Sequence, residues 1–64
     1  MTDLLVIIKQ KKKTIEFLQD IQEKIYELKV SEDAQRIFSY MIERQISDVR
    51  EHIKVLEDAH DTEN

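Results

Sequence analysis

The 64-residue sequence contains no glycine, no proline and no cysteine. Glycine and proline make most tight turns and interrupt helices, so their absence favours long, continuous helices. The absence of cysteine excludes disulfide bonds and thiolate metal sites. A chain this short buries only a small apolar core by itself. With those two supplements excluded, we expect it to gain stability by associating with another copy of itself.

Long hydrophobic runs are also absent. The longest apolar run covers residues 4–8, far short of the roughly 20 residues that span a bilayer. It lacks the preceding basic residues and the small-residue cleavage site of a secretory signal. We therefore expect no membrane span and a cytoplasmic protein.

The net charge is −4, and it is unevenly distributed along the chain. Residues 1–30 hold six basic residues against five acidic ones, whereas residues 31–64 hold four against nine. An acidic total argues against general binding to a phosphate backbone, which requires a basic surface. It leaves open a local basic patch on the first half, at residues 9–13.

Apolar residues recur at helical spacing through two segments. In the first segment the intervals alternate between three and four residues, as in a coiled coil, with Lys11 and Thr14 as polar members. This pattern predicts a first helix over about 3–28, capped by Thr2 or Asp3. A turn follows at 29–31, and the predicted second helix covers about 32–60, leaving a short acidic tail at 61–64. The evidence for the second boundary is Ser31, a good N-cap residue, followed by Glu32 and Asp33 in the first helical turn.

A connection this short makes the two helices antiparallel. With the turn centred near Val30, residues whose numbers sum to about 60 should face each other, such as Leu18 and Ile42. Each apolar stripe is wider than one antiparallel neighbour can cover. The predicted fold is therefore all-α, a single domain over 1–64 built as an antiparallel two-helix hairpin that dimerises into a four-helix bundle.

Catalysis is not expected, because helices offer no glycine-rich phosphate loop, no nucleophile elbow and no deep pocket. Glu57 and His60 have the Glu-x-x-His spacing of carboxylate-bridged di-iron bundles, but the first helix has no inward-facing Glu to complete such a site. His52 lies on the apolar stripe, where it is interpreted as a partly buried residue bonded to Asp48, with a metal ligand or pH sensor as the alternative. We predict no enzyme, no metal and no cofactor.

One side of the first helix, away from the predicted helix contact, carries a candidate binding surface. Phe17 is flanked there by Lys13 and by Gln10, and such a surface aromatic either stacks on a base or inserts into a partner's groove. Lys24 and Val6 extend the same side. The alternative is an ordinary solvated surface on which lysines pair with acids one turn away, as Lys12 with Glu16 and Asp20 with Lys24.

Residues 24–32, KIYELKVSE, together with the length and hairpin design, resemble the turn region of the Rop family of plasmid RNA-binding proteins. Members of that family are homodimeric four-helix bundles that present Lys, amide and Phe side chains from their first helices to paired RNA loops. The resemblance implies that Phe17, Lys13, Gln10 and Lys24 would contact RNA here.

From the residues themselves we predict a small non-enzymatic regulatory or adaptor protein that acts through helix-mediated protein–protein interaction. Its expected partners are a second copy and an unidentified protein. The alternative is a Rop-like homodimeric RNA-binding regulator that uses the basic side of the first helix. The residues predicted to contact a partner are Val6, Gln10, Lys13, Phe17, Lys24, Tyr26 and Tyr40.

Overall fold

The computed structural model describes residues 3–63, and over this range the chain is an all-helical, antiparallel hairpin. Helix α1 spans Leu4–Ile25 and helix α2 spans Glu32–Glu63. The hairpin measures 49 × 15 × 15 Å. Its long dimension is that of α2, because a helix rises about 1.5 Å per residue.

Both helices begin where the capping residues predict. The Asp3 carboxylate accepts a hydrogen bond from the Leu5 N–H at 3.2 Å, and Ser31 Oγ accepts one from the Ala34 N–H at 3.2 Å. Each bond satisfies a donor that has no partner within its own helix. Capping by Asp3 and by Ser31 is confirmed, whereas Thr2 lies outside the described residues.

Helix α1 ends at Ile25, three residues earlier than predicted. The Glu27 N–H donates to the Lys24 carbonyl at 3.0 Å and the Leu28 N–H to the Ile25 carbonyl at 3.1 Å. These are i to i+3 bonds, which tighten the last turn and take the chain out of the α-helix. The connection therefore covers residues 26–31 rather than 29–31. Leu28 still lines an apolar groove with Ile25, which explains why apolar periodicity overestimates the helix length.

Helix α2 continues to Glu63, past the predicted end near residue 60. Residues 61–63, expected to be a non-helical tail, form its last turn. The Thr62 hydroxyl donates to the Asp58 carbonyl, one helical turn earlier, at 2.8 Å. The remaining tail residue, Asn64, lies outside the described part of the chain.

The register between the helices also differs from the prediction. Gln22 Nε2 donates to Glu43 Oε1 at 3.3 Å, whereas the predicted register places Gln22 opposite Phe38. Likewise, Lys12 Nζ lies 3.9 Å from Glu57 Oε2, whereas the predicted register places Lys12 opposite Asp48. Non-helical chain rises up to about 3.3 Å per residue, against about 1.5 Å in a helix. The six connecting residues therefore carry the start of α2 beyond the end of α1 and displace the pairing by at least one turn.

The new register corrects the predicted core layer. Ile42 lines a groove with Ile21 and Ile25, so it does not face Leu18 as expected. Ile46 lines a groove with Gln19, which places it at the level of Leu18. The buried hydrophobic residues form one line between the helices: Ile8, Leu18, Ile25, Ile46 and Ile53.

His52 is exposed, contrary to the prediction that it is partly buried, and no hydrogen bond joins it to Asp48 in the described structure. The buried line of α2 passes through Ile53, and adjacent residues leave a helix about 100° apart. His52 therefore lies beside the helix contact rather than within it.

Candidate interaction surfaces

The two long sides of the hairpin differ in chemistry. Ile21 and Gln22 are adjacent in α1, so their side chains leave the helix about 100° apart and flank the contact with α2 on opposite sides. We call the side reached by Ile21 the apolar side. One groove on this side, near the connection, is lined by Ile21, Ile25, Leu28, Phe38, Met41 and Ile42. Another, towards the other end of the hairpin, is lined by Ile7, Lys11, His52, Val55 and Leu56.

The opposite side, reached by Gln22, is the polar side. Its groove is lined by Gln19, Gln22, Glu43, Ile46, Ser47 and Arg50. The amide-to-carboxylate bond between Gln22 and Glu43 and the ion pair between Lys12 and Glu57 lie across the two helices. These polar groups already have partners within the hairpin or in water, so this side requires no further cover.

The apolar side leaves large hydrophobic residues in water. Phe38 is 41% exposed, Met41 is 53% exposed and Val55 is 62% exposed. Lys11 is the polar residue that α1 contributes to these grooves, and its side chain is half-buried. Apolar residues grouped on one side in this way mark an interaction site more often than scattered single residues do.

The predicted partner-binding residues of α1 lie on one stripe. All five are exposed, and their spacing keeps them on the same side of the helix. They are Val6, Gln10, Lys13, Phe17 and Lys24. Phe17 is 64% exposed. We call these five residues the Phe17 stripe.

Lys24 differs from the other members of the Phe17 stripe. Its ammonium donates to Asp20 Oδ2 at 2.9 Å, as the i, i+4 spacing predicts. This hydrogen bond and the carboxylate charge raise the pKa of Lys24. The neighbouring carboxylate thus offsets the charge that a phosphate would need. The other predicted pair is wrong, because Lys12 lies near Glu57 of α2 instead of bonding to Glu16.

Tyr26 and Tyr40 form a separate surface at the connection end of the hairpin. They are 68% and 63% exposed, and they line one groove, which we call the tyrosine groove. None of the described residues that line this groove belongs to the Phe17 stripe. The seven predicted partner-binding residues are therefore divided between two surfaces.

Sequence reasoning missed the other residues of the tyrosine groove. Their one detectable signal in the sequence is spacing. Intervals of four, three and four residues place them on one stripe of α2, which consists of Glu32, Arg36, Ser39 and Glu43. Polar residues at such intervals also occur on any solvated helix. The described residues that line this groove are Tyr26, Glu32, Gln35, Arg36, Ser39, Tyr40 and Glu43.

No group of three or more His, Asp or Glu side chains within the described residues is placed to hold a metal ion. His60 Nδ1 lies 3.9 Å from the Asp61 carboxylate, and Glu57 lies near Lys12. Neither α1 nor α2 contains a described stretch both long and apolar enough to cross a bilayer. Comparisons with protein-family models, curated proteins and solved structures find no match to this chain.

Proposed function

We propose that this protein is a homodimeric four-helix bundle that acts as a non-enzymatic regulatory or adaptor module. The observation that carries the proposal is the uncovered apolar side, on which Phe38, Met41 and Val55 are exposed. A second copy placed there buries these side chains, and two-fold symmetry closes the assembly.

The accessible surface supports the same proposal. The hairpin exposes 5406 Å², whereas a compact monomer of 7.7 kDa exposes about 4,300 Å². The excess is about 1,100 Å² per chain, and two chains that each cover this amount bury about 2,200 Å² in total, within the range of obligate homodimers.

The dimer proposal is tested by one charge placed on either side of the hairpin. Met41→Glu puts a carboxylate on the apolar side, and the matched control Ser47→Glu puts one on the polar side. Sedimentation equilibrium at micromolar concentration should show a dimer for the parent and for Ser47→Glu, and dissociation for Met41→Glu, because burying an unpaired charge is costly. A folded monomeric parent, or a dimer that tolerates Met41→Glu and not Ser47→Glu, contradicts the proposal.

The Phe17 stripe borders the apolar side, since Phe17 lies one helical turn before Ile21, and its outward-facing residues are proposed to contact a further partner. We propose that this partner is a protein. The acidic total charge and the pairing of Lys24 with Asp20 favour a protein over a nucleic acid. The solvent-open grooves described above suit docking better than chemistry that must exclude water.

A second candidate function is RNA binding through the same stripe. The observation that favours it is that Phe17 and Lys13 are both exposed and lie one helical turn apart. In this arrangement the aromatic ring can stack on a base while the ammonium contacts its phosphate. Its test is a titration with a paired RNA stem-loop at several salt concentrations. Affinity that falls steeply with salt would support this candidate, and absence of binding at low salt would exclude it for that RNA.

A further inference from the structure

We propose that the tyrosine groove binds an arginine- or lysine-bearing segment of a partner protein. The inference rests on the proposed function insofar as it requires a protein partner. It does not require the second copy, so the two proposals are tested separately.

The connection positions the two aromatic rings. Tyr26 directly follows α1, whereas Tyr40 lies two turns inside α2. Gln35 Nε2 donates to the Leu28 carbonyl at 3.2 Å, which ties the chain after Tyr26 to the helix that carries Tyr40. Two large aromatic side chains are thereby exposed to solvent along one groove. Exposed aromatic residues of this kind frequently dominate the binding free energy of an interface.

The charges around the rings favour a cation. Glu32 and Glu43 contribute carboxylates to the groove, and Arg36 is the one cation among the described residues that line it. Arg36 Nη2 lies 3.5 Å from Asp33 Oδ1, so its charge is already offset by a neighbour. A guanidinium or ammonium from a partner can lie over a tyrosine face and interact with these carboxylates.

The groove stays open in the proposed dimer. Glu43 belongs both to the tyrosine groove and to the groove of the polar side, whereas the second copy covers the apolar side. Each chain of a dimer therefore presents one tyrosine groove, and a partner with two basic segments can engage both.

The experiment uses the two tyrosines as reporters, because the chain has no others. NMR signals of the Tyr26 and Tyr40 rings are followed while a short peptide containing two arginines is added, and the control peptide replaces both arginines with glutamine. The arginine peptide should shift the ring signals saturably, and the glutamine peptide should not. Tyr26→Leu or Tyr40→Leu should weaken binding about two- to fivefold each, the effect expected of an exposed cation–π contact.

A pair of charge variants separates local recognition from general attraction. Glu43→Gln should weaken binding, whereas Glu57→Gln, which removes the same charge at a residue outside the groove, should leave it unchanged. Equal weakening by both variants, equal binding of the two peptides, or unchanged binding by Tyr40→Leu would overturn the proposal.

Folding and dimerisation are checked in the same samples. Circular dichroism identifies any variant that loses helix, and Tyr40→Phe then serves as a second variant, which keeps the aromatic face and should retain binding. Loss of binding in a folded Tyr40→Phe also overturns the inference. Sedimentation of the parent reports dimerisation independently, so failure of one proposal is distinguishable from failure of the other.

Discussion

Phe17 and Leu18 are neighbours in α1 with opposite environments. Leu18 is 7% exposed and Phe17 is 64% exposed, because adjacent side chains leave a helix about 100° apart. A residue that makes few contacts in the hairpin contributes little to its stability and is free to contribute to binding. Substitutions at these two positions therefore test different properties.

At Phe17 we predict a change in binding with little change in folding. Phe17→Ala should alter the free energy of unfolding by about 0.5 kcal/mol or less, as exposed substitutions do, while weakening binding to a protein partner by more than about 1 kcal/mol. Lys13→Gln should matter little for that partner at physiological salt, where exposed charges are screened. If the partner is RNA, both changes should weaken binding, and Lys13→Gln should also reduce the salt dependence.

The measurements are urea denaturation followed by circular dichroism, and titration of the partner. A large loss of stability in Phe17→Ala together with unchanged binding would contradict the prediction. It would show that Phe17 packs against a second copy.

At Leu18 we predict the opposite behaviour. Leu18→Ala should lower the free energy of unfolding by about 2 to 5 kcal/mol, as truncation of a buried leucine does. Val55→Ala, on the apolar side of α2, is the matched control and should cost much less at concentrations where the chain is monomeric. Similar costs for the two changes under that condition would show that the assignment of the buried line is wrong.

The individual helices depend on their first turns, where backbone N–H groups lack partners within the helix. The Ser31 hydroxyl is the partner of the Ala34 N–H at the start of α2, and Glu32 and Asp33 place negative charge at the positive end of the helix dipole. Because α2 begins beyond the end of α1, few residues of α1 support its first turns. The stability of these first turns therefore depends on the Ser31 cap.

We predict that Ser31→Ala destabilises the protein by about 1 kcal/mol. Ser47→Ala, an exposed position in the interior of α2, is the control and should be neutral or slightly stabilising because alanine has the higher helix propensity. Thermal unfolding and amide hydrogen exchange of residues 32–36 would measure both effects. Unchanged exchange rates in Ser31→Ala would show that the hydroxyl is not the cap in solution.

For the whole molecule, the shape limits the stability of a single chain. Two helices make one line of contact, and that line contains the buried residues given above, whereas the apolar side stays open. Such a hairpin has a core close to the lower limit for independent folding. The proposed second copy is a physical answer to this deficit.

We therefore predict that the melting temperature rises with protein concentration. Only the dimer gains the burial of the apolar side, so mass action links stability to concentration. Melting curves recorded from about 1 to 100 μM by circular dichroism, a range chosen to bracket micromolar dissociation constants, should shift upwards for the parent and remain constant for Met41→Glu. A concentration-independent melting temperature in the parent would mean that the apolar side is not covered by self-association.

The class of fold, the number of helices, the N-cap of α2 and the antiparallel arrangement could be predicted from the sequence alone, because each depends on interactions within a few residues. For α1 the sequence left Thr2 and Asp3 open as caps. Apolar periodicity, Asp3 and Ser31 act locally, and a short connection leaves only one relative direction. The stripe of Phe17 and Lys13 was likewise predictable, since helical geometry alone keeps those residues together.

The register, the end of α1 at Ile25 and the grouping of Tyr26 with Tyr40 became known only from the three-dimensional path of the chain. The backbone path from 26 to 31 sets how far α2 starts beyond α1, and no side-chain periodicity records that distance. Leu28 illustrates the reason: it keeps the apolar spacing and lines the apolar side after the helix has ended. Periodicity records which side of the molecule a residue joins, whereas the backbone hydrogen bonds at Lys24 and Ile25 decide where the helix stops.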